Sequence, residues 1–142
     1  MDVSQSSQPA GFTEIDHTAD WSYRVWAPNP EELFIQAAQA LYQLADTHLV
    51  SEPRIEREIH LRGTDYESLL VAWLNELLYL GECEGLGFDH FEISALNAEN
   101  FQIQASGAPV QNWSKVIKAV TYSNLSIDKT ETGLEATLVL DV

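Results

Sequence analysis

The chain has 142 residues, 45% of them hydrophobic, which is long enough for one domain of ordinary size with a single sizeable core. Its 22 acidic against 7 basic residues give a formal charge of -15, which repels a phosphate backbone, so strong direct nucleic-acid binding is not expected. One cysteine, Cys83, excludes an internal disulfide framework and any multi-cysteine zinc site, in keeping with a reducing cytoplasm.

Residues 1–10, rich in Ser and Gln, read as a disordered tail that precedes a domain over residues 11–142. They lack the basic and apolar regions of a signal peptide. No apolar run reaches the roughly 18 residues needed to cross a bilayer, so the expectation is a soluble, cytoplasmic protein without membrane contact. Phe12 to Ile15 reads as a short strand leading into Asp16-His17-Thr18-Ala19-Asp20, and Ser22 to Ala27 reads as the next strand. The acidic segment therefore sits on a strand-anchored loop, where functional groups tend to be displayed. Its carboxylates, with Asp141 and the main-chain oxygens of Val142, are hard oxygen donors of the kind Mg²⁺ and Ca²⁺ select. The same residues also read as turn and cap chemistry, with His17 packed among its neighbours.

Asn29-Pro30-Glu31-Glu32 is a helix start, and the spacing of Leu33, Phe34, Ala37, Ala38, Leu41 and Leu44 predicts an amphipathic helix to about Asp46. Ser51 to Arg54 is a turn. Ile55, Ile59 and Leu61 then alternate with Glu56, Glu58 and His60, which gives a strand with His60 on its wet face. Thr64-Asp65-Tyr66-Glu67 has the capping-box pattern, with Thr64 as cap, for a second helix carrying Leu69, Leu70, Trp73, Leu74, Leu77 and Leu78 and stopping at Gly81. Glu82 to Gly87, including Cys83, reads as an acidic solvated loop.

From Phe88 the pattern is β. Phe91, Ile93 and Ala95, then Phe101, Ile103 and Ala105, alternate around a turn at residues 97–100, and Gly107-Ala108-Pro109 is expected to break the run. Ile117 to Tyr122 is a short apolar segment holding Lys118, whose long stem suits a snorkelling surface position. Leu125 and Ile127 open a further strand. In the last strand Leu134, Ala136, Leu138 and Leu140 share one face, so Asp141 emerges on the other. The resulting fold class is α+β, a single domain with a mixed or antiparallel β-sheet packed by two main helices.

Five co-linear segments carry a family resemblance: the loop at Asp16 to Asp20, the Pro-Glu-Glu-Leu-Phe helix start, Leu70 to Tyr79, Lys118-Ala119-Val120-Thr121-Tyr122, and Leu140-Asp141-Val142. From about Gly11 to Val142 the chain resembles the archease family. That resemblance implies an accessory protein, not an enzyme. Its partner would be the GTP-dependent RNA ligase that joins 2′,3′-cyclic phosphate or 3′-phosphate ends to 5′-hydroxyl ends in tRNA splicing and RNA repair. The accessory protein would promote guanylylation and multiple turnover of that ligase. The resemblance also implies a divalent-cation site, Ca²⁺ foremost with Mg²⁺ or Mn²⁺ as alternatives, at Asp20, Asp141 and Val142. It casts Asp16, His17 and Lys118 as supporting or partner-interface residues. Ser123-Asn124 departs from the His common after the Lys118 motif, and Trp21-Ser22-Tyr23 from the smaller residues common after the loop. Two other readings are a small metal-dependent hydrolase, although no nucleophile and base pair or phosphate loop is evident, and an RNA-chaperone module, which the charge opposes.

Overall fold

Alternating apolar residues cover only one face of a strand, so each strand of this chain needs a helix or a second sheet above it. The computed structural model describes residues 9–15 and 21–142, and it meets that need with two helices shared between two antiparallel sheets. The chain order is β1 (Gly11–Ile15), β2 (Trp21–Ala27), α1 (Pro30–Leu44), β3 (Thr47–Leu49), β4 (Ile55–Arg62), α2 (Tyr66–Glu84), β5 (Leu86–Leu96), β6 (Asn100–Trp113), β7 (Ala119–Thr121), β8 (Ile127–Lys129) and β9 (Leu134–Asp141). The expected tail, residues 1–8 of it, lies outside the described residues.

The first sheet runs β1-β2-β9-β7, with β8 also on β9, and the second is built on β6, which pairs with β3, β4 and β5. All described pairings are antiparallel. The expected class therefore stands, with the strands divided between two sheets. Tyr23, Val25, Ala27, Ala136, Leu138 and Leu140 form the buried face of the first sheet, and Ile59, Phe101, Ile103 and Ala105 that of the second. Trp73 and Phe34 from the two helices meet Phe101 between them, with ring centroids 5.1 Å apart in both pairs. Two buried aromatics find partners for their polar tips on α1: Trp73 Nε1–H donates to Phe34 O at 3.0 Å and the Tyr23 hydroxyl to Ala37 O at 3.1 Å.

Several boundaries differ from expectation for local reasons. The first helix ends at Leu44, Asp46 adopts a positive φ of 53°, and the short β3 follows where no strand was expected. The second helix is capped by Asp65, whose side chain accepts from Ser68 N–H, while Ser68 returns the bond to the Asp65 main chain. That one-residue shift from Thr64 releases Glu67 to accept from Ile127 N–H at 3.0 Å, tying β8 to α2. Gly81 does not stop the helix. A Cβ there would lie 2.9 Å from the Trp113 ring, so its small size serves packing, and the helix ends at Gly85 in the left-handed region with φ 68°. Glu82, Cys83 and Glu84 are accordingly the last helical turn, and β5 begins immediately after Gly85, leaving no loop.

The Gly107-Ala108-Pro109 stretch continues β6 instead of breaking it. Pro109 lacks a donor but its carbonyl accepts from Val50 N–H at 2.9 Å, and Gly107 passes so close to β5 that a Cβ would lie 1.8 Å from Gly87 O.

Candidate functional site

The described part of the site is a corner of the first sheet, where β2, β9 and β7 meet. Antiparallel register places Trp21 opposite Leu140 and Ala119 opposite Asp141. Asp141 is the last residue of β9, exposed, and continues the face opposite the buried Ala136, Leu138 and Leu140, as the alternation predicted. Its main-chain carbonyl accepts from Lys118 N–H at 2.8 Å, which fixes the start of the Lys118 motif against the strand end. Among the described residues no hydrogen bond or ion pair engages the Asp141 carboxylate. Lys118 is exposed, as expected, and Val142 is 57% exposed.

Asp16, His17 and Asp20 lie outside the described residues. What the structure does fix is the flank of their segment. Trp21, which follows Asp20 in the sequence, donates its indole N–H to Glu14 Oε2 at 2.7 Å, so side chains just before and just after residues 16–20 are bonded to each other. Above the Trp21 ring, 5.3 Å from its centroid, stands the Lys115 ammonium, a cation–π contact. Lys115 is held by its backbone: Ser114 and Lys115 N–H both donate to Ala45 O at 3.2 Å, and Ser114 Oγ–H donates to Asp46 Oδ2 at 2.6 Å. The Ser114 hydroxyl, with His48 adding to it, holds the Asp46 carboxyl below the ordinary carboxylate range. Beside this frame is a hollow of about 510 Å³ between β1 and the end of α1. Among the described residues no group of three or more His, Cys, Asp and Glu side chains is placed to hold a metal.

Two contributors to this corner carry little signal in sequence. Asn75 was read as part of a helix motif without a role, yet its side-chain N–H donates to Val120 O at 3.0 Å and its Oδ1 accepts from Val120 N–H at 2.8 Å. It thus pairs with the exposed edge of β7 as a neighbouring strand would. The hint in sequence is an amide, next to Glu76, within a largely apolar helix run. The Glu14, Trp21 and Lys115 contacts join residues up to about a hundred positions apart, which periodicity cannot reveal.

The fold, an α+β domain of two antiparallel sheets and two helices, is that of known proteins. The solution structure of Methanobacterium thermoautotrophicum protein 1598 superposes with a TM-score of 0.70 at 25% identity, covering 93% of this chain and 99% of that one. The crystal structure of an archease from Thermotoga maritima, titled a possible chaperone, has a TM-score of 0.69 at 22% identity, covering 92% and 96%. In sequence, protein archease from Methanosarcina barkeri is 36% identical over 146 residues, covering 96% of this chain and 99% of its own. That of Methanopyrus kandleri is 36% identical over 138 residues, covering 92% and 99%. Residues 12–142 match the archease protein family (MTH1598/TM1083), and the chain belongs to that family. Among the described residues, no helix is long and apolar enough to cross a membrane.

Proposed function

We propose that this chain is a cytoplasmic accessory protein of a GTP-dependent RNA ligase acting in tRNA splicing and RNA repair. It promotes the ligase's guanylylation and multiple turnover, and the bond-making chemistry stays with the ligase. Membership of the archease family supports the accessory role. The observation that carries the site is the register at the sheet corner: the residue after Asp20 is paired with the residue before Asp141.

In this reading Asp20, Asp141 and a main-chain oxygen of Val142 hold a divalent cation. The donor set fits, because every candidate atom is a hard oxygen of the kind Ca²⁺ takes in a six- to eight-coordinate shell completed by water, and Mg²⁺ or Mn²⁺ can use the same atoms. A bound cation would screen phosphate charge during guanylyl transfer. Asp141 is held at the strand end by the Lys118 main chain and presented to solvent, where a partner can reach it. In the same reading the exposed Lys118 touches the partner or its nucleotide phosphates, while Asp16 and His17 shape the loop. The charge of -15 steers the protein towards the basic surface that an RNA- and GTP-binding ligase must carry.

The test is GTP-dependent guanylylation of the cognate ligase under multiple turnover, with and without this protein and with a chelator control. Stimulation by the wild type and its loss in the Asp20→Ala/Asp141→Ala double variant, which keeps its fold, is the expected result. Full stimulation by that variant would sink the metal reading, and no stimulation by the wild type at any divalent-metal concentration would sink the accessory reading.

A further inference from the structure

Both sheets have open edges, and most of them are short or guarded. At β7 the Asn75 amide holds the Val120 N–H and C=O, and at β8 the Glu67 carboxylate holds the Ile127 N–H. β5 shifts register twice against β6, and β1 and β3 have only five and three residues. Short, bulged or covered edges resist the addition of a further strand. β4 has none of these devices. Its eight residues contain no proline and pair with β6 without a register shift, and no described strand lies on its other side.

The phase of the β4–β6 ladder decides which groups that edge offers. Gly63 N–H donates to Glu99 O at 3.0 Å, one step beyond the pairing of Arg62 with Asn100, so the odd-numbered residues of β4 bond to β6 and the even-numbered ones turn their N–H and C=O outward. The outward set is Glu56, Glu58, His60 and Arg62. Among the described residues one of their main-chain groups has a partner, the Glu56 carbonyl, which accepts from the Arg57 guanidinium at a long 3.3 Å. The same four side chains are exposed on the wet face of the sheet, where the His60 ring reaches Gln102 of β6 at 3.4 Å. Charges on an edge deter a strand of the same sign. Two acids followed by an imidazole and a guanidinium are instead complementary to their own reverse.

We propose that β4 is a self-association edge, on which a second copy of this chain adds its own β4 antiparallel about a two-fold axis at Ile59. In that register Glu56 faces the copy's Arg62 and Glu58 the copy's His60, each twice by symmetry. All four are outward residues, so each opposed couple closes a hydrogen-bonded pair of the new ladder. Opposite charges directly across a strand pair are favourable and like charges unfavourable. On the helix side Ile59 meets its own copy on the axis, and the half-buried Leu61 meets the stem of the copy's Arg57. Neighbouring registers fail: an axis at Glu58 sets that carboxylate against itself, an axis at Arg57 sets Glu56 against Glu58 twice, and an axis at His60 leaves Glu56 beyond the strand end. A slip by one residue turns the wet face of one copy towards the core face of the other. The inference does not rest on the accessory function, since β4 lies in the second sheet and Asp141 at the end of a strand of the first.

The test is sedimentation equilibrium of the full chain from about 10 µM to about 1 mM in about 0.15 M NaCl, which screens the long-range repulsion between two acidic molecules. An edge-to-edge interface is small, so a dimer that dissociates at about 100 µM is expected. Glu56→Arg and Arg62→Glu each set like charges across the pair twice, and each should weaken association about tenfold or more. The Glu56→Arg/Arg62→Glu double variant restores the opposite charges and should recover wild-type association, as should an equal mixture of the two single variants. Glu56→Arg makes the chain less acidic, so net charge alone would strengthen association where the register weakens it. Amide exchange reads the phase of the ladder: Glu58 and His60 should slow as the concentration rises, while Ile59, bonded to β6, should not change. Four outcomes overturn the proposal: a monomer up to about 1 mM, single variants that associate as well as the wild type, a double variant that stays weak, or exchange at Glu58 and His60 that is indifferent to concentration.

Discussion

At the scale of single residues, side chains that finish what the backbone leaves undone hold the corner of the first sheet in place. Asn75 is the clearest case, since both groups of its amide are committed to Val120. Asn75→Ala is expected to lose about 1–3 kcal/mol in urea unfolding, because it strips partners from a nearly buried peptide group. It should also speed hydrogen exchange at the Val120 amide more than at Leu138, which lies within the sheet. Equal protection of Val120 in the variant would mean that the clamp is not what seals β7. The Arg54 and Asp89 pair makes a different, pH-dependent contribution. Arg54 holds the Asp89 carboxyl below its ordinary value of 3.8, so the unfolded chain takes up the proton first as the pH falls. The stabilisation is therefore present above the ordinary carboxylate value and is lost as the pH drops through the lowered one. The stability difference between wild type and Asp89→Asn should be constant from pH 7 to pH 5 and shrink below about pH 4. A difference that persisted unchanged at the lowest accessible pH would assign the effect to packing.

At the scale of elements, glycine has three separate uses in the second half of the chain, and sequence pattern alone distinguishes them poorly. Gly85 terminates α2 with a positive φ of 68° and open space around its Cβ position, so Gly85→Ala should cost about 1 kcal/mol from backbone strain. Gly107 is in ordinary strand geometry, yet a Cβ would collide with the backbone of Gly87 and Phe88, so Gly107→Ala should cost more and disturb the β5–β6 pairing. Thermal melts of the two variants give the order directly, and the reverse order would contradict this division of roles. Gly81, the third, fits beneath Trp113, and so the chain's first plausible stop signal was not its stop. This is why sequence pattern puts the helix end at Gly81 and a loop over residues 82–87 where the helix in fact runs on to Glu84, whereas the Asn29 cap, the apolar stripes and the Leu row of β9 are legible. Stripes and caps are set by neighbours within a few residues. The choice among Gly81, Gly85 and Gly107 is set by Trp113, Gly87 and Phe88, which only the folded chain brings near. The site divides in the same way: the outward position of Asp141 follows from alternation, while the Asn75 clamp and the bonded frame of Glu14, Trp21 and Lys115 are tertiary.

At the scale of the whole molecule, the charge of -15 opposes its own compaction. Monovalent salt should raise the melting temperature by general screening, in every variant alike. A cation held at Asp20, Asp141 and Val142 would act differently, since it binds the folded state and stabilises it by mass action. At a hundredfold excess over its dissociation constant the gain is about 2.7 kcal/mol, or roughly 10 °C for a domain of this size. Ca²⁺ should therefore raise the melting temperature beyond NaCl of matched ionic strength, chelator should reverse that excess, and Asp141→Ala should abolish the excess while keeping the response to NaCl. If Ca²⁺ and matched NaCl act identically in the wild type, the corner holds no specific cation, and its carboxylates would contribute to partner steering only. If the excess survives in Asp141→Ala, the cation does not depend on that carboxylate and the proposed site is wrong.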